Sequence, residues 1–178
     1  MTLLEKVENF KYIEDTERLL KSGGLFLVSK GKRGPPNAMT IGWGLIGTMW
    51  SQPFFVVAVR YSRYTYKLIE ESGKFSVCLP TKNMHQALQL CGSKSGRDID
   101  KLKELGLNTA QGKVVDTPYI KECPVIYECE VAFKTQIKNG EILKEIEDAV
   151  YKSGDYHSLY YGWIKGVYSI QEAEKYLP

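Results

Sequence analysis

Two arginines and two hydroxyl side chains stand close together in the sequence, just before a predicted helix. They are Arg60, Ser62, Arg63 and Thr65, and they follow an apolar run at residues 54–59. Arginine offers forked, charged donors, and a helix start adds backbone N–H groups that lack partners, so this combination suits a phosphate dianion. The alternative is an ordinary helix cap with solvated arginines. The density of cationic and hydroxyl donors favours the phosphate.

A second basic segment, SKSGRD at residues 93–98, has the same character. Ser95 and Arg97 precede a short helix predicted over residues 98–105, and Lys101 follows one turn in. Taken alone, this segment is a capped loop. Beside the first cluster, it becomes a second candidate for binding an anion.

A strand predicted over residues 38–50 carries very small residues at the start of one face. That face begins Ala38, Thr40, Gly42, Gly44, whereas the opposite face is expected to fill a core with Met39, Ile41, Trp43, Leu45 and Met49. Glycine weakens a strand unless something must approach the backbone closely. Either a flat ligand or a neighbouring strand would explain the pattern.

The same glycines spell GxGxxG, the fingerprint of dinucleotide-binding proteins. That fingerprint requires a helix to begin inside the motif, and residues 49–53 (MWSQP) leave no room for one. A Rossmann-type site is therefore rejected.

His157 is a lone histidine in a tyrosine-rich segment. It stands beside Tyr156, Tyr160 and Tyr161. Such a residue either fills space in a core or, with suitable neighbours, serves as a group that titrates near neutral pH. Both interpretations stay open from the residues alone.

The elements that must position these residues are mostly strands. Strands are predicted at Leu25–Ser29, 38–50, 54–59, Lys74–Leu79, 123–137 and 159–170. The run 123–137 alternates plainly, as in a long, half-buried strand. Its apolar face carries Cys123, Val125, Tyr127, Cys129, Val131, Phe133 and Ile137, and its solvent face carries Glu128, Glu130, Lys134 and Gln136. Short helices are predicted as inserts at 65–71, 84–91 and 98–105. This order favours a mainly β, α+β fold built on an antiparallel barrel.

Length and composition narrow the class of protein. The 178 residues suit one domain, taken as residues 1–178. The charged N-terminal segment and the lack of a long apolar run predict a cytoplasmic chain without a membrane span. A net charge of +3, spread along the chain, gives no reason to expect nucleic acid. The four cysteines form no CxxC pair, so they are expected to be reduced thiols with no metal site.

Together, these segments resemble the flavin reductase-like family of FMN-binding split barrels, and more closely its flavoredoxin branch. The resemblance runs from about residue 25 to residue 170. The similar segments are NAMTIGW (37–43), SRYT (62–65), KLI (67–69), GKF (73–75), SGRD (95–98), DK (100–101), KTQ (134–136), GDYH (154–157) and LYYG (159–162). One departure is Trp163, because the family commonly has an acidic residue after the glycine of this last segment.

The resemblance implies a role for each candidate residue. It places Asn37, Ala38, Met39 and Thr40 along the isoalloxazine ring, with Trp43 near it. It assigns phosphate and ribityl oxygens to Arg60, Ser62, Arg63 and Thr65, with further contacts from Ser95, Arg97 and Lys101. It brings His157 beside the ring or the electron donor as the one catalytic candidate, and a pH dependence near about 6 to 7 is then expected.

The implied function is that of an FMN-dependent oxidoreductase and homodimer. NADH, NADPH or a redox protein would reduce non-covalently bound FMN, and free flavin, a metal complex or a protein would accept the electrons. Two alternatives are a non-catalytic, flavodoxin-like electron carrier between proteins and a barrel that binds another small ligand without a redox role.

Overall fold

The computed structural model describes residues 3–178, which form ten strands, five α-helices and a short 3₁₀ turn. The strands are β1 Glu5–Val7, β2 Leu25–Ser29, β3 Asn37–Ile41, β4 Gly44–Met49, β5 Gln52–Arg60, β6 Lys74–Leu79, β7 Thr109–Gln111, β8 Pro118–Ile120, β9 Val125–Gln136 and β10 His157–Ser169. The helices are α1 Ile13–Ser22, α2 Tyr64–Ser72, α3 His85–Ser93, α4 Lys101–Glu104 and α5 Lys144–Val150, and the 3₁₀ turn is Ala173–Lys175.

Eight strands form one antiparallel sheet that does not close on itself. Its order is β3-β2-β6-β9-β10-β5-β4, and β1 pairs with β10 beside this path. The remaining strands, β7 and β8, form a separate hairpin. This architecture confirms the predicted mainly β, antiparallel split barrel.

Alternate residues of the strands fill two separate cores. On β2, Leu25 and Leu27 point into the first core with Phe55, Phe75 and Tyr127. Residues one step along the same strands point the other way. Together with helix α3 they form a second core. Members of this core include Phe26, Val28, Ala38, Cys78, Leu88 and Ile126. The sheet is therefore covered on both faces where β2, β3, β6 and the first half of β9 run.

The strand predicted over residues 38–50 is two strands, β3 and β4. The prediction that its larger side chains fill a core was wrong for Trp43, Leu45 and Met49, which are 49%, 64% and 39% exposed. The turn at Gly42 and Trp43 interrupts the alternation between β3 and β4. Leu45 and Met49 belong to β4, which is an edge strand of the sheet. Gly44 is needed for packing, because a Cβ there would lie 2.8 Å from the carbonyl oxygen of Val56.

Glu128 was predicted on the solvent face of its strand and is instead fully buried. Its carboxylate accepts hydrogen bonds from the backbone N–H groups of Lys113, Val114 and Val115, at 2.6, 2.8 and 2.9 Å. The loop between β7 and β8 thus covers this face of β9. Local alternation cannot reveal such a cover, because the loop is separated from Glu128 in sequence.

The predicted helices exist, with shifted ends. Helix α2 ends at Gly73, which adopts a left-handed φ of 65° as a C-cap. Helix α3 continues past Gly92 to Ser93, and α4 is capped by Asp100 rather than by Asp98. Helices α1 and α5 were not predicted. None of the helices in residues 3–178 combines the length and hydropathy needed to cross a bilayer.

Candidate functional site

Two adjoining pockets lie where β3, the end of β5 and the start of α2 meet. The first pocket has a volume of about 200 Å³ and includes Met39, Trp43, Arg60 and His157 on its walls, with Thr40, Ile41, Gly42, Ala58 and Arg63. The second, of about 120 Å³, is lined by Asn37, Met39, Ser62, Arg63, Tyr64, Thr65, Cys91, Lys94, Ser95, Gly96, Arg97 and Lys101. Met39 and Arg63 belong to both walls, so the two pockets adjoin at these residues, and we refer to the pair of pockets as the trough.

Sheet pairing brings the distant segments of the first pocket together. His157, the first residue of β10, pairs with Arg60, the last residue of β5. The indole of Trp43 packs against the imidazole of His157, with ring centroids 4.7 Å apart. The turn between β3 and β4 therefore delivers Trp43 to the wall of the pocket, although the residue is half exposed.

The second pocket opens onto the first turn of α2. Arg63 is the N-cap residue of this helix, in an extended conformation, and no side chain caps the turn. The hydroxyl of buried Thr65 is engaged elsewhere, because it accepts a hydrogen bond of 2.8 Å from the side-chain amide of Asn37. The backbone N–H groups of Tyr64 and Thr65, which both line the pocket, thus have no side-chain cap, as at helix starts that bind anions.

The cations around the second pocket are oriented by backbone carbonyl groups. Arg97 donates to the carbonyl oxygen of Ser62 at 2.9 Å, and Arg63 donates to that of Gly92 at 3.3 Å. Buried Lys101 donates to the carbonyl oxygens of Cys91 and Lys94, at 3.3 and 3.2 Å.

The cations of the second pocket have no salt-bridge partner among the described residues. Burial lowers the pKa of Lys101, partly offset by the thiol of Cys91, and the charge of Arg63 lowers it further. Within residues 3–178, no carboxylate forms a salt bridge with Arg63, Arg97 or Lys101. The walls of the second pocket carry no acidic side chain. The pocket therefore has a net positive charge.

Arg60 lines the first pocket rather than the second, where the phosphate contacts were expected, and Ser62 lines the second; both residues also contact the segment before β10. Arg60 donates to the carbonyl oxygens of Asp155 and Val150, at 2.8 and 3.2 Å. The carboxylate of Asp155 accepts hydrogen bonds from the Ser62 hydroxyl and backbone N–H, at 2.7 and 3.2 Å. Asp155 itself has a left-handed φ of 55°, and it was not among the candidates from the sequence. These contacts tie the turn before α2 to the start of β10.

His157 is buried and is held by a tyrosine that the sequence did not single out. Its Nδ1 lies 2.8 Å from the hydroxyl of Tyr151, the residue after α5. Burial, reinforced by the charge of Arg60, lowers the pKa of His157 to about 4. The expectation of a histidine that titrates at pH 6 to 7 is therefore corrected, because desolvation and two nearby arginines disfavour the imidazolium.

One further candidate departs from the expected placement. Ala38 is fully buried in the second core and lines neither pocket with its side chain. Trp163, the departure from the family pattern, pairs with Phe54 and lies under Lys165, whose Nζ is 3.5 Å from the ring centroid. It too lies outside both pockets.

Comparison with known proteins identifies the family of this chain. A family model described as a flavin reductase-like domain matches residues 18–175. An uncharacterized protein of Archaeoglobus fulgidus is 34% identical over 124 residues, which cover 67% of this chain and 70% of that protein.

Solved structures share the fold. The flavoredoxin of Desulfovibrio vulgaris (Miyazaki F) is 25% identical with a TM-score of 0.66, and the match covers 87% of this chain and 74% of that one. The FMN-binding domain of a flavin reductase-like enzyme from Shewanella baltica OS155 is 23% identical with a TM-score of 0.65, over 95% of this chain and 78% of that one.

Proposed function

We propose, from the premise that this chain belongs to the flavin reductase-like domain family, that it is an oxidoreductase holding FMN non-covalently in the trough. The observation that carries this proposal is that the two adjoining pockets of the trough differ in their linings. Beside the side chains of Arg60, Arg63 and His157, the first pocket has Trp43, Met39 and the bare backbone at Gly42. The second is lined by cations and an uncapped helix start. FMN has the same division, with a flat ring at one end and a phosphate at the other.

The donor set of the second pocket fits a phosphate. Arg63 and Arg97 supply charged N–H donors, Ser95 a hydroxyl and α2 its first backbone N–H groups. Lys101 is buried and forms no salt bridge with a carboxylate of residues 3–178, which is costly unless an anion lies nearby. Arg60 and Ser62 would then act mainly by orienting this turn through Asp155.

The first pocket fits an aromatic ring. Gly42 leaves its backbone bare, since the nearest atom to a Cβ built there is 3.6 Å away, on Leu20. Thr40 is fixed by a hydrogen bond of 2.6 Å from its hydroxyl to the carbonyl oxygen of Leu88. Bound FMN would supply hydride and single-electron chemistry at this pocket. The protein would bind and orient it, and would exclude water with Met39 and Trp43.

The electron donor is proposed to be a pyridine nucleotide, with a redox protein as the alternative donor. The acceptor is free flavin, a metal complex or a redox protein. Steady turnover with NADH or NADPH as sole donor supports the enzyme. Bound FMN that exchanges electrons only with proteins would instead support a non-catalytic carrier.

A second copy of the chain is proposed to cover part of the site, as the family resemblance implies. Trp50, Phe133 and Tyr161 form an exposed aromatic patch beside edge strand β4, with ring centroids 6.3 and 5.2 Å apart between successive residues. Trp50 is 62% exposed and Phe133 is 46% exposed. Surfaces of this kind commonly mark protein contacts.

The test begins with the visible absorption spectrum of the freshly purified protein, followed by titration of flavin-free protein with FMN. Flavin bands, or saturable binding after reconstitution, are the expected result. A protein that binds no FMN in either form would leave only a small-ligand barrel without a redox role.

A further inference from the structure

His157 is fixed by contacts that the proposed function leaves unused. Its ring stands between Tyr151 on one side and the first pocket on the other. Since a neutral imidazole carries one proton, the nitrogen that holds it decides whether the pocket meets a donor or an acceptor.

The hydroxyl of Tyr151 has one side-chain partner among residues 3–178, Nδ1 of His157. The guanidinium of Arg60 lies over the Tyr151 ring, 5.3 Å from its centroid, but directs its N–H groups to the carbonyl oxygens of Asp155 and Val150. Arginine offers no acceptor. The hydroxyl proton of Tyr151 therefore has Nδ1 as its acceptor.

The protonation of both groups agrees with this direction. Burial raises the pKa of Tyr151, against the charge of Arg60 and the backbone N–H of His157, so the phenol stays protonated. If Nδ1 carried the proton instead, the buried hydroxyl would keep a proton without an acceptor, an arrangement that folded proteins avoid.

The other ring nitrogen faces the opposite way. Nε2 has no hydrogen-bond partner among the described residues. The side-chain polar atoms of these residues that are both fully buried and unpartnered are Thr117 Oγ1 and Ser158 Oγ, so Nε2 is not fully buried. The His157 ring forms part of the first pocket wall beside Trp43. Nε2 is therefore open to the pocket.

We infer that Tyr151 is a positioning residue, whose hydroxyl holds His157 as the tautomer protonated on Nε2 and so presents an N–H donor to the first pocket. The groups that face this imidazole are Tyr151, Arg60, Arg63 and Asp155. Burial, together with two cations against one carboxylate, keeps the ring neutral, so the donor is present throughout the neutral pH range. A hydrogen-bond acceptor of the bound ring or of the electron donor is the chemical partner that such a group selects. The identity of this acceptor rests on the proposed flavin function, whereas the assignment of the His157 tautomer does not depend on that function.

The tautomer is measured directly by ¹⁵N NMR of the imidazole nitrogens in flavin-free protein. The chain has two histidines, so His85→Gln, at an exposed position, leaves His157 as the sole signal. In this background we expect a pyrrole-type Nε2 and a pyridine-type Nδ1. Tyr151→Phe keeps the ring and removes the hydroxyl, and it should yield a mixture of tautomers. The matched control is Tyr156→Phe, since Tyr156 stacks on Tyr151 at 4.7 Å but directs its hydroxyl to Glu147.

A kinetic measurement follows the consequence. In FMN-saturated protein, Tyr151→Phe should slow reduction by NADH or NADPH about tenfold, and Tyr156→Phe should not. A proton on Nδ1 in the parent protein, or an unchanged tautomer and rate in Tyr151→Phe, would overturn the inference. Failure to bind FMN would instead overturn the proposed function, and failure to accept electrons from either nucleotide would overturn the proposed donor; both would leave the NMR result standing.

Discussion

The side-chain amide of Asn37 donates a hydrogen bond of 2.8 Å to the hydroxyl of Thr65, and both residues are buried. This contact joins the first residue of β3 to the first turn of α2. It fixes the wall of the second pocket, because both residues line it. The loop that carries Ser95 and Arg97 closes directly over this pair.

Gly96 makes that closure possible, and Gly96→Ala should disturb it. A Cβ at this position would lie within 3 Å of Asn37 Cγ and Tyr64 Cδ1, and closer still to Asn37 Oδ1. We expect a loss of about 1–3 kcal/mol in the free energy of unfolding, typical of overpacking, with weaker FMN binding. Urea unfolding and FMN titration measure the two effects. Gly47→Ala is the control, because nothing lies within 4 Å of its Cβ; equal effects of both variants would contradict this role for Gly96.

Arg63→Ala should separate FMN from riboflavin. A charge-assisted contact contributes about 1.5–3 kcal/mol, so FMN affinity should fall by about ten- to a hundredfold. Riboflavin, which has no phosphate, should bind nearly as before. Titration of both ligands by flavin fluorescence provides the measurement, with Arg33→Ala in the exposed turn after β2 as the matched control. Similar losses for the two flavins would show that Arg63 does not contact the phosphate.

His157 should leave two signatures in pH experiments. Its pKa falls from 6.5 to about 4 on folding. Between these values the unfolded chain binds the proton more readily than the folded chain, so stability should fall as pH decreases from 6.5 towards 4. His157→Asn should remove this part of the slope in thermal unfolding. The rate of FMN reduction should show no inflection near pH 6 to 7 in the parent protein but should be lower in the variant; an inflection lost on substitution would mean that the imidazole titrates there.

Glu128→Gln should destabilise the protein without touching the trough. In the parent protein, three backbone N–H groups donate to the Glu128 carboxylate. The amide of the variant keeps one acceptor oxygen, but its NH₂ group would face some of these N–H donors. We expect a cost of about 2 kcal/mol in the free energy of unfolding, since a buried charged acceptor is lost. Glu130→Gln, two residues along the same strand and exposed, is the control. In both variants, the FMN affinity of the folded protein should stay unchanged.

The proposed dimer predicts a particle of twice the 20.2 kDa chain mass in light scattering. Trp50→Glu places a charge in the exposed aromatic patch and should shift the protein towards monomer. Leu143→Glu, at an exposed apolar residue before α5, is the control for an added charge. A monomer with FMN fully bound would refute the proposal.

The sequence alone was enough for the fold class and for most residues of the trough. Alternation and apolar runs predicted the strands because a side chain's face is set by its position in the strand. Arg63, Thr65, Ser95 and Arg97 were found because helix starts with basic and hydroxyl residues have a local signature. Gly73 marked the end of α2 because glycine at a helix C-cap is also a local signature.

Tertiary structure decided what each of those residues contacts. The register of β5 with β10 brings Arg60 beside His157, about a hundred positions apart in the chain. The same pairing brings Asp155 into contact with Arg60 and Tyr151 into contact with His157. Neither Asp155 nor Tyr151 was a candidate from the sequence. The resulting burial and the two arginines lower the pKa of His157, a property that depends on neighbours distant in sequence. The residue types of the site are thus readable from the chain, whereas their protonation and partners arise only from the packing of strands.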